Sequence, residues 1–472
     1  SLGFAKEARR VAGLTADDAL EAVALGVIGI IKCQSEKTGE GIEDLEAAVE
    51  SVKDLTAAEW ARSYRLQRSV LELCGVEPEI EAPDPEVART TSEPTGLLVM
   101  WLLAGSPRCR EGIELGESYT RRIAEIDEGD LIRHTSSIEG ASWIDAFLGL
   151  GIGYHLFGRP DQSLQTLERA YRLYELAGHH LLTAFVACEV LPTVHTRYRA
   201  DDLQQRTLFS ERSQREDRWV TEALGFDKHF GWIEFIDGRW GEAKDGVFHR
   251  FATNILVGVL ARCRGDVDLA WSVVNAMVSI DGALTGEQAR VLPAFTAVRL
   301  AADLALDAHD LPTAHTWISV HDMWMEASGS VVGLADGVLL WAQYHHANND
   351  ADLARQFAEQ SLAHASDPRQ PLALIAVQRF LGLLDTEDKQ FDAAENSLQQ
   401  SLTLADACAA PFERALTLLE IARLRIATGQ SDEARTLLAE VRTICEPLGA
   451  KPTLDRAVAL ERELADREAS DA

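Results

Sequence analysis

The sequence lacks any cysteine pattern that would indicate a disulfide framework or a zinc site. Its 7 cysteines are scattered along 472 residues, their number is odd, and no two form a CxxC pair. Disulfide-rich secreted domains and zinc modules depend on such spacing. We therefore expect free thiols and a cytoplasmic location.

Long apolar runs and basic residues are also scarce. The longest apolar stretch, residues 23–31, is about half of the ~18 residues that span a bilayer, and it follows acidic residues rather than a basic signal region. Acidic residues outnumber basic ones 75 to 45, which gives a formal net charge of −30. Because such a surface repels nucleic acid and anionic lipid, we expect no direct nucleic-acid contact and no membrane contact by this chain.

Motifs of known catalytic chemistry are missing as well. The sequence contains no HExxH, no GxSxG and no glycine-rich dinucleotide loop. The adjacent histidines at 179–180 and 345–346 point about 100° apart on a helix, so they are poorly placed to share one metal ion. We expect no enzymatic activity, no metal and no cofactor.

What the sequence does contain is helical periodicity. Apolar residues recur at intervals of three and four, as in segments 163–178 and 415–429, and proline is scarce within them. No segment shows sustained period-two alternation, so no substantial sheet is expected. The pattern predicts an all-α protein.

Small residues also recur at a fixed interval. Ala314, Ala354, Ala394 and Ala434 are equally spaced along the chain, and a second small residue precedes each of them by the same constant step, at Ala302, Ala342, Gly382 and Ala422. The same step separates the upstream pairs Gly258–Ala270, Gly231–Ala243 and Gly151–Ser163. Two antiparallel helices approach to about 8 Å only where both carry a small residue. In several copies the segment between the two small residues contains a turn glycine and an Asp or Ser that can cap the second helix. Each copy therefore predicts a helical hairpin, and stacked hairpins predict an α-solenoid.

These residues resemble the tetratricopeptide repeat, here with about 40 residues per copy. The last copy carries the repeat's large, small and turn positions at Leu418, Ile421, Ala422, Gly429, Ala434 and Leu438; the copy before it carries Leu381, Gly382, Phe391, Ala394 and Leu398. Segment 410–450 is similar to the helical region of LuxR-type, MalT-like ATP-dependent transcriptional regulators. The resemblance covers residues 143–450 and implies an all-α, right-handed superhelix of antiparallel hairpins. The sequence has neither the GxxxxGK[ST] phosphate loop of such regulators nor a basic helix-turn-helix segment after the repeats.

We expect four regions along the chain. Residues 1–75 are interpreted as degenerate N-terminal hairpins, 76–96 as an acidic, proline-rich loop or linker, 97–462 as the solenoid and 463–472 as a charged tail.

The resemblance also implies where a ligand would bind. In tetratricopeptide arrays the first helix of each hairpin lines the concave surface, with inward positions three before, one after and four after the small crossing residue. Those positions are occupied here by His155, Lys228, Trp232, Arg262, Arg299, Asp303, Gln343, His346, Arg379 and Arg423; Asp145, six residues before Gly151, is included with them. Arginine binds carboxylate or phosphate bidentately, so an acidic peptide or a small anionic ligand is the expected guest. The alternative is that these arginines pair with acids on neighbouring helices, such as Asp303 or Glu420.

The expected function is a non-catalytic binding or sensor module within a bacterial signalling or LuxR-type regulatory protein. Its partner would be a protein, a peptide or a small anionic ligand. The other interpretation is a structural scaffold or adaptor that uses its repeats for self-association and complex assembly, and either interpretation allows oligomers.

Overall fold

The computed structural model describes residues 2–34, 37–63, 84–106, 108–135, 142–224, 230–242, 254–282 and 291–471. These residues form helices and turns and no strand, which confirms the predicted all-α class. In chain order the helices are α1 (Leu2–Thr15), α2 (Asp18–Gln34), α3 (Thr38–Val52), α4 (Pro85–Ser92), α5 (Thr95–Ala104), α6 (Cys109–Ile123), α7 (Glu128–His134), α8 (Ser142–Leu156), α9 (Pro160–Leu176), α10 (His180–Phe185), α11 (Leu191–Arg199), α12 (Leu203–Leu224), α13 (Trp232–Ile236), α14 (Asn254–Arg264), α15 (Val267–Asn275), α16 (Val291–Asp307), α17 (Leu311–Ser328), α18 (Leu334–Ala347), α19 (Ala351–Ser366), α20 (Pro371–Glu387), α21 (Phe391–Ala407), α22 (Pro411–Ala427), α23 (Ser431–Leu448) and α24 (Lys451–Asp471). A π-helical turn, Val186–Val190, joins α10 to α11, and a 3₁₀ turn spans Trp240–Glu242.

Six of the seven predicted hairpins are present, those of Gly151–Ser163 and of the pairs from Gly258–Ala270 onwards, and their small residues lie where the two helices cross. All eight alanines of the pairs from Ala270 onwards are 0% exposed. A Cβ added to Gly382 would lie only 2.5 Å from Leu398 Cγ, and Ser163 Oγ donates a hydrogen bond of 2.6 Å to the Gly151 carbonyl. The side chains at these positions are small because the partner helix occupies the space.

The described turns of the seven predicted pairs share one backbone geometry. A residue with φ between 55° and 84° stands five residues before the second small residue of each pair, namely Gly158, Gly238, Gly265, His309, Asn349, Lys389 and Gly429. The following N–H then bonds to the carbonyl five residues earlier, as from Gln430 to Arg425 at 2.8 Å. This is the Schellman arrangement that ends a helix with a left-handed residue. It explains why glycine is frequent at this position and why other residues there are strained.

That strain gives a testable prediction about Lys389, whose side chain is exposed and whose φ is 60°. Substituting Lys389→Gly removes the Cβ penalty of the left-handed region, so we expect the free energy of unfolding to rise by roughly 0.5–1 kcal/mol. The reciprocal change, Gly429→Ala, places a Cβ in open space but at φ 78°, and should cost about 1 kcal/mol. Thermal unfolding of both variants checks the prediction. Equal shifts of the melting temperature in one direction would contradict the strain argument.

The helices pack into two units. One contains Ser1–Val190 with Thr285–Leu292 and Glu326–Ser330; the other contains Leu191–Leu284, Pro293–Met325 and Val331–Ala472. In the first unit α8 is the central helix, and all of its residues are buried. The second unit contains the regular hairpins α14–α15, α16–α17, α18–α19, α20–α21 and α22–α23, followed by α24. These successive hairpins form the α-solenoid predicted from the repeat.

Helix α14 packs on both ends of the hairpin series in the second unit. Ile255, Val257 and Ala261 join the core of α15–α17, whereas Leu256 and Leu260 join the core of α22–α24. The turn after α14 also contacts the start of α24, where a Cβ built on Gly265 would lie 3.3 Å from Pro452. The first hairpin of this series therefore contacts the last.

Helices extend into the regions interpreted as a loop or linker, residues 76–96, and as a charged tail, residues 463–472. Helix α4 lies inside the predicted linker 76–96. Its N-terminus is capped by Asp84, whose side chain accepts a hydrogen bond from the Glu86 N–H, and its residues Val87 and Ala88 are buried. Residues 76–83 lie outside the described part of the chain. At the other end, α24 continues through the predicted tail to Asp471. The first unit's main segment ends at Val190.

The predicted hairpin at Gly231–Ala243 differs from the others. Gly231 precedes the short helix α13 and acts as its N-cap instead of lying within a first helix. Ala243 lies outside the described residues. The turn itself keeps the shared geometry, since Gly238 has φ 72°.

Candidate ligand-binding face

The predicted inward positions of the second unit form a row along successive first helices. We call Arg262, Arg299, Asp303, Gln343, His346, Arg379 and Arg423 the first-helix row; these residues lie on α14, α16, α18, α20 and α22. The row side chains that form ion pairs are half-buried, from 16% exposed for Arg379 to 37% for Arg423. The repeat therefore places them at the three inward positions of successive first helices.

Ion pairs connect most of this row from one first helix to the next. Arg262 on α14 binds Asp303 at 3.0 Å and Asp307 at 2.7 Å, both on α16. His346 Nε2 on α18 lies 2.7 Å from Glu387 on α20, and this bond raises the pKa of the imidazole. In these pairs the charges of row residues are neutralised by opposite charges on neighbouring helices, as in the alternative interpretation of the sequence.

The same pattern continues towards the C-terminus. Arg379 Nη1 on α20 lies 2.7 Å from Glu413 and 3.5 Å from the Thr417 hydroxyl, both on α22. Arg423 lies 3.0 Å from the buried Glu420, which also pairs with Arg456 on α24. The positive potential expected along the row is therefore largely cancelled at these positions.

Arg299 on α16 is the exception within the described residues. Its one hydrogen bond goes to Thr296 Oγ1 at 3.2 Å, and no described carboxylate oxygen lies within 4.0 Å of its guanidinium. Its Nη1 atom is buried without a hydrogen-bond partner in the described part of the chain. Burial accordingly lowers the pKa of the Arg299 guanidinium. An unpaired, buried cation is costly, so its presence calls for a physical explanation.

A carboxylate does lie nearby, but another arginine holds it. Asp336 on α18 accepts hydrogen bonds from Arg197 on α11, with Nη2 to Oδ2 at 2.7 Å. Although burial opposes ionisation, Arg197 and Arg299 together lower the pKa of Asp336 to about 2. Burial raises the pKa of Asp303 on the other side to about 6, against the opposing influence of Arg262. Several charged side chains that are only partly exposed to solvent thus lie close together here.

His321 completes this cluster. It lies on α17, is 1% exposed, and its Nε2 atom has no hydrogen-bond partner among the described residues. The ring fits because glycines stand at the N-cap and in the first turn of α18, and a Cβ on Gly337 would lie 2.2 Å from His321 Cε1. Burial lowers the pKa of His321, so the imidazole is neutral at neutral pH.

The other predicted site residues lie apart from this cluster. His155 is buried on α8 in the first unit, and Lys228 lies outside the described residues. Trp232 packs its ring on Phe235, with centroids 5.9 Å apart, and Gln343 is half-buried on α18. The row assignment therefore brings together the residues from Arg262 to Arg423.

Sequence reasoning missed Arg197, His321 and Asp336. His321 could have been found by aligning successive copies of the repeat, because Ser361, Ser401 and Val441 occupy its place in the next three. A large polar residue among small or aliphatic ones marks an altered copy. Arg197 gave no such signal, because α11 precedes the regular repeats.

Metal and membrane sites are not apparent in the described residues. Within the described ranges no group of three or more His, Cys, Asp and Glu side chains is placed to hold a metal ion. No helix in the same ranges is both long and apolar enough to cross a bilayer.

No protein-family model and no curated protein matches the sequence. Among solved structures, the chain is similar to a signal transduction ATPase with numerous domains (STAND) from Pyrococcus horikoshii that has a tetratricopeptide repeat sensor, with 11% identity and a TM-score of 0.35. This match covers 86% of the chain and 62% of the other protein, so the chain spans less than two thirds of its length. A second similarity is to Naa15/Naa10 bound to HypK-THB, with 12% identity, a TM-score of 0.24 and coverage of 99% and 72%. At these TM-scores neither similarity bears on function.

Proposed function

We propose that the chain is a non-catalytic binding or sensor module that recognises a protein, a peptide or a small anionic ligand at the first-helix row. The observation that carries this proposal is the row itself. Half-buried polar side chains are aligned along successive first helices, and the guanidinium of one of them, Arg299, has a buried Nη1 atom and no carboxylate partner among the described residues. Solenoids use such continuous faces for recognition.

The proposal includes a biological setting. The tetratricopeptide-like repeat and the similarity of segment 410–450 to MalT-like regulators support a place in a bacterial signalling or LuxR-type regulatory protein. There the module would report occupancy through small changes in hairpin packing. This setting rests on resemblance and is separate from the binding proposal.

Calorimetric titration of the chain with a panel of small acids, organic phosphates and acidic peptides tests the binding proposal. We expect at least one saturable ligand, with affinity that falls as salt concentration rises. A chain that binds none of these ligands, yet assembles with increasing concentration in gel filtration with light scattering, would instead be a scaffold.

A charge added to the row should weaken that binding. Gln343→Glu introduces a negative charge on a half-buried residue of α18 without removing any ion pair found in the described residues. We expect it to weaken an anionic ligand severalfold through like-charge repulsion. Gln360→Glu adds the same charge to an exposed position on the second helix α19 and should leave the affinity unchanged. Equal weakening by both variants would place the ligand elsewhere.

A further inference from the structure

Arg299 and Arg379 occupy equivalent positions two hairpins apart. In the hairpin between them the equivalent position is Leu339. Arg379 Nη1 has two acceptors on the following first helix, Glu413 and Thr417. Each acceptor is a fixed number of residues after Arg379. The residues the same numbers of positions after Arg299 are therefore where its hydrogen-bond acceptors would be expected.

Both of those acceptors are replaced by glycine for Arg299. The residues at the corresponding offsets, 34 and 38 positions after it, are Gly333 and Gly337. The guanidinium still points the same way, since a Cβ built on Gly333 would lie 2.6 Å from Arg299 Nη1. Arg299 thus has the geometry of Arg379 without the carboxylate that Arg379 binds.

Polar groups converge on Gly333 from three directions. His321 Nε2 lies 3.5 Å from the same Cβ position, and both this atom and Arg299 Nη1 lack a hydrogen-bond partner in the described ranges. Gly333 is also the N-cap of α18, a helix of 14 residues that has no side-chain cap. A helix N-terminus adds free N–H groups and a partial positive charge.

The nearby Asp336 does not complete this arrangement. Both of its oxygens accept from Arg197, at 2.7 and 3.4 Å. Asp336 therefore lies among two guanidinium groups and a helix N-terminus, whereas Asp303 on the other side of Arg299 is paired with Arg262 at 3.0 Å. The local balance favours one further negative charge.

We propose that Arg299, His321 and the N-terminus of α18 form a carboxylate-binding site, in which a carboxylate of the ligand takes the role that Glu413 plays for Arg379. This inference rests on the proposed function and names its ligand class. The carboxylate belongs either to a free small acid or to an acidic side chain of a peptide. Carboxylate is favoured because the equivalent acceptor in the repeat is a glutamate.

The experiment titrates the full chain with succinate and with hexaglutamate, with sodium chloride at matched ionic strength as the blank. We expect saturable binding of at least one probe and a rise in melting temperature. Arg299→Gln should weaken that binding about ten- to a hundredfold, the loss expected for a charge-assisted hydrogen bond. Arg299→Lys should restore part of the affinity. Arg435→Gln, which removes a half-exposed arginine of the second helix α23, should match the unmodified chain.

A second measurement separates binding from folding. Because Arg299 has no ion pair in the described residues and contributes only at longer range to keeping Asp336 ionised, Arg299→Gln should change the melting temperature of the free chain little. Arg379→Gln should lower it, since Glu413 loses its partner. A large drop for Arg299→Gln would mean that the arginine is structural and would overturn the site.

The outcomes distinguish the sources and the two proposals. Arg299-dependent binding of succinate identifies a small acid, and Arg299-dependent binding of hexaglutamate alone identifies a peptide. Binding that is unchanged in Arg299→Gln overturns this site but leaves the proposed function standing. If neither probe binds, the site is overturned. The proposed function is overturned as well only if no ligand of the wider panel binds.

Discussion

Substituting Gly41→Ala is expected to destabilise the N-terminal hairpin α2–α3 by about 3 kcal/mol, at the upper end of the usual cost of overpacking. A Cβ on Gly41 would lie 2.5 Å from the Gly29 carbonyl oxygen and 2.6 Å from the Cys33 backbone nitrogen. Both are backbone atoms of α2, so a rotamer change cannot relieve the clash. The two helices would have to separate, which would expose Leu45 and Ala48, both 0% exposed.

The same helix offers a matched control. Gly39 is exposed on α3, and a Cβ there would meet nothing within 4 Å. Gly39→Ala should therefore stabilise the chain by about 0.5 kcal/mol through reduced backbone entropy of the unfolded state. Hydrogen exchange of the α2 and α3 amides measures both effects locally, because a chain with two units need not unfold in one step. Protection that changes in the same direction for both variants would contradict the close approach.

This hairpin also shows what the sequence could have predicted. Gly29 and Gly41 are separated by the same step as Gly151 and Ser163. The pair gives only a weak signal because it occurs once, without neighbouring copies at the repeat interval to reinforce it. Periodicity is a strong signal only where several copies repeat it.

Within the regular copies, position was predictable but residue identity was not. Arg355 binds Asp385 at 2.7 Å, and at the equivalent positions of the next copy Glu395 binds Arg425 at 2.7 Å with the signs exchanged. The preceding copy has His315 and His345 at these positions, and both contact the ring of Trp341. A search for a fixed residue type overlooks such a pair. Comparison of contacts at equivalent positions finds it.

The centre of the candidate site depends on tertiary packing beyond any repeat. Arg197 reaches Asp336 across 139 residues of chain, from a helix outside the regular series. The resemblance to tetratricopeptide arrays, applied at the small residues of each copy, implied Arg299 and the first-helix row. It could not predict which row arginines find a carboxylate, because Glu413 and Gly333 become comparable only when the hairpins are superimposed in register.

Replacing the buried acid Asp145 with asparagine is expected to stabilise the first unit strongly at alkaline pH. Asp145 is 5% exposed on α8, and burial raises its pKa from the ordinary value of 3.8 to about 7, although a hydrogen bond donated by Tyr174 opposes the rise. The folded state therefore holds a proton that the unfolded state releases. This group's contribution to stability is complete below pH 3.8 and is lost as pH rises through about 7.

Asp145→Asn keeps the shape and the acceptor for Tyr174 but removes the charge. At pH 8 we expect a gain of up to about 4 kcal/mol, since each pKa unit corresponds to about 1.4 kcal/mol. Near pH 4 the two proteins should differ little, because Asp145 is then protonated when folded. Hydrogen exchange of the α8 and α9 amides, compared at the same pH, measures the difference locally. The matched control is Glu175→Gln, which alters an exposed acid next to Tyr174 on α9 and should leave the protection of these amides unchanged. A gain that is the same at pH 4 and pH 8 would mean that Asp145 stays ionised in the folded protein, with its charge compensated.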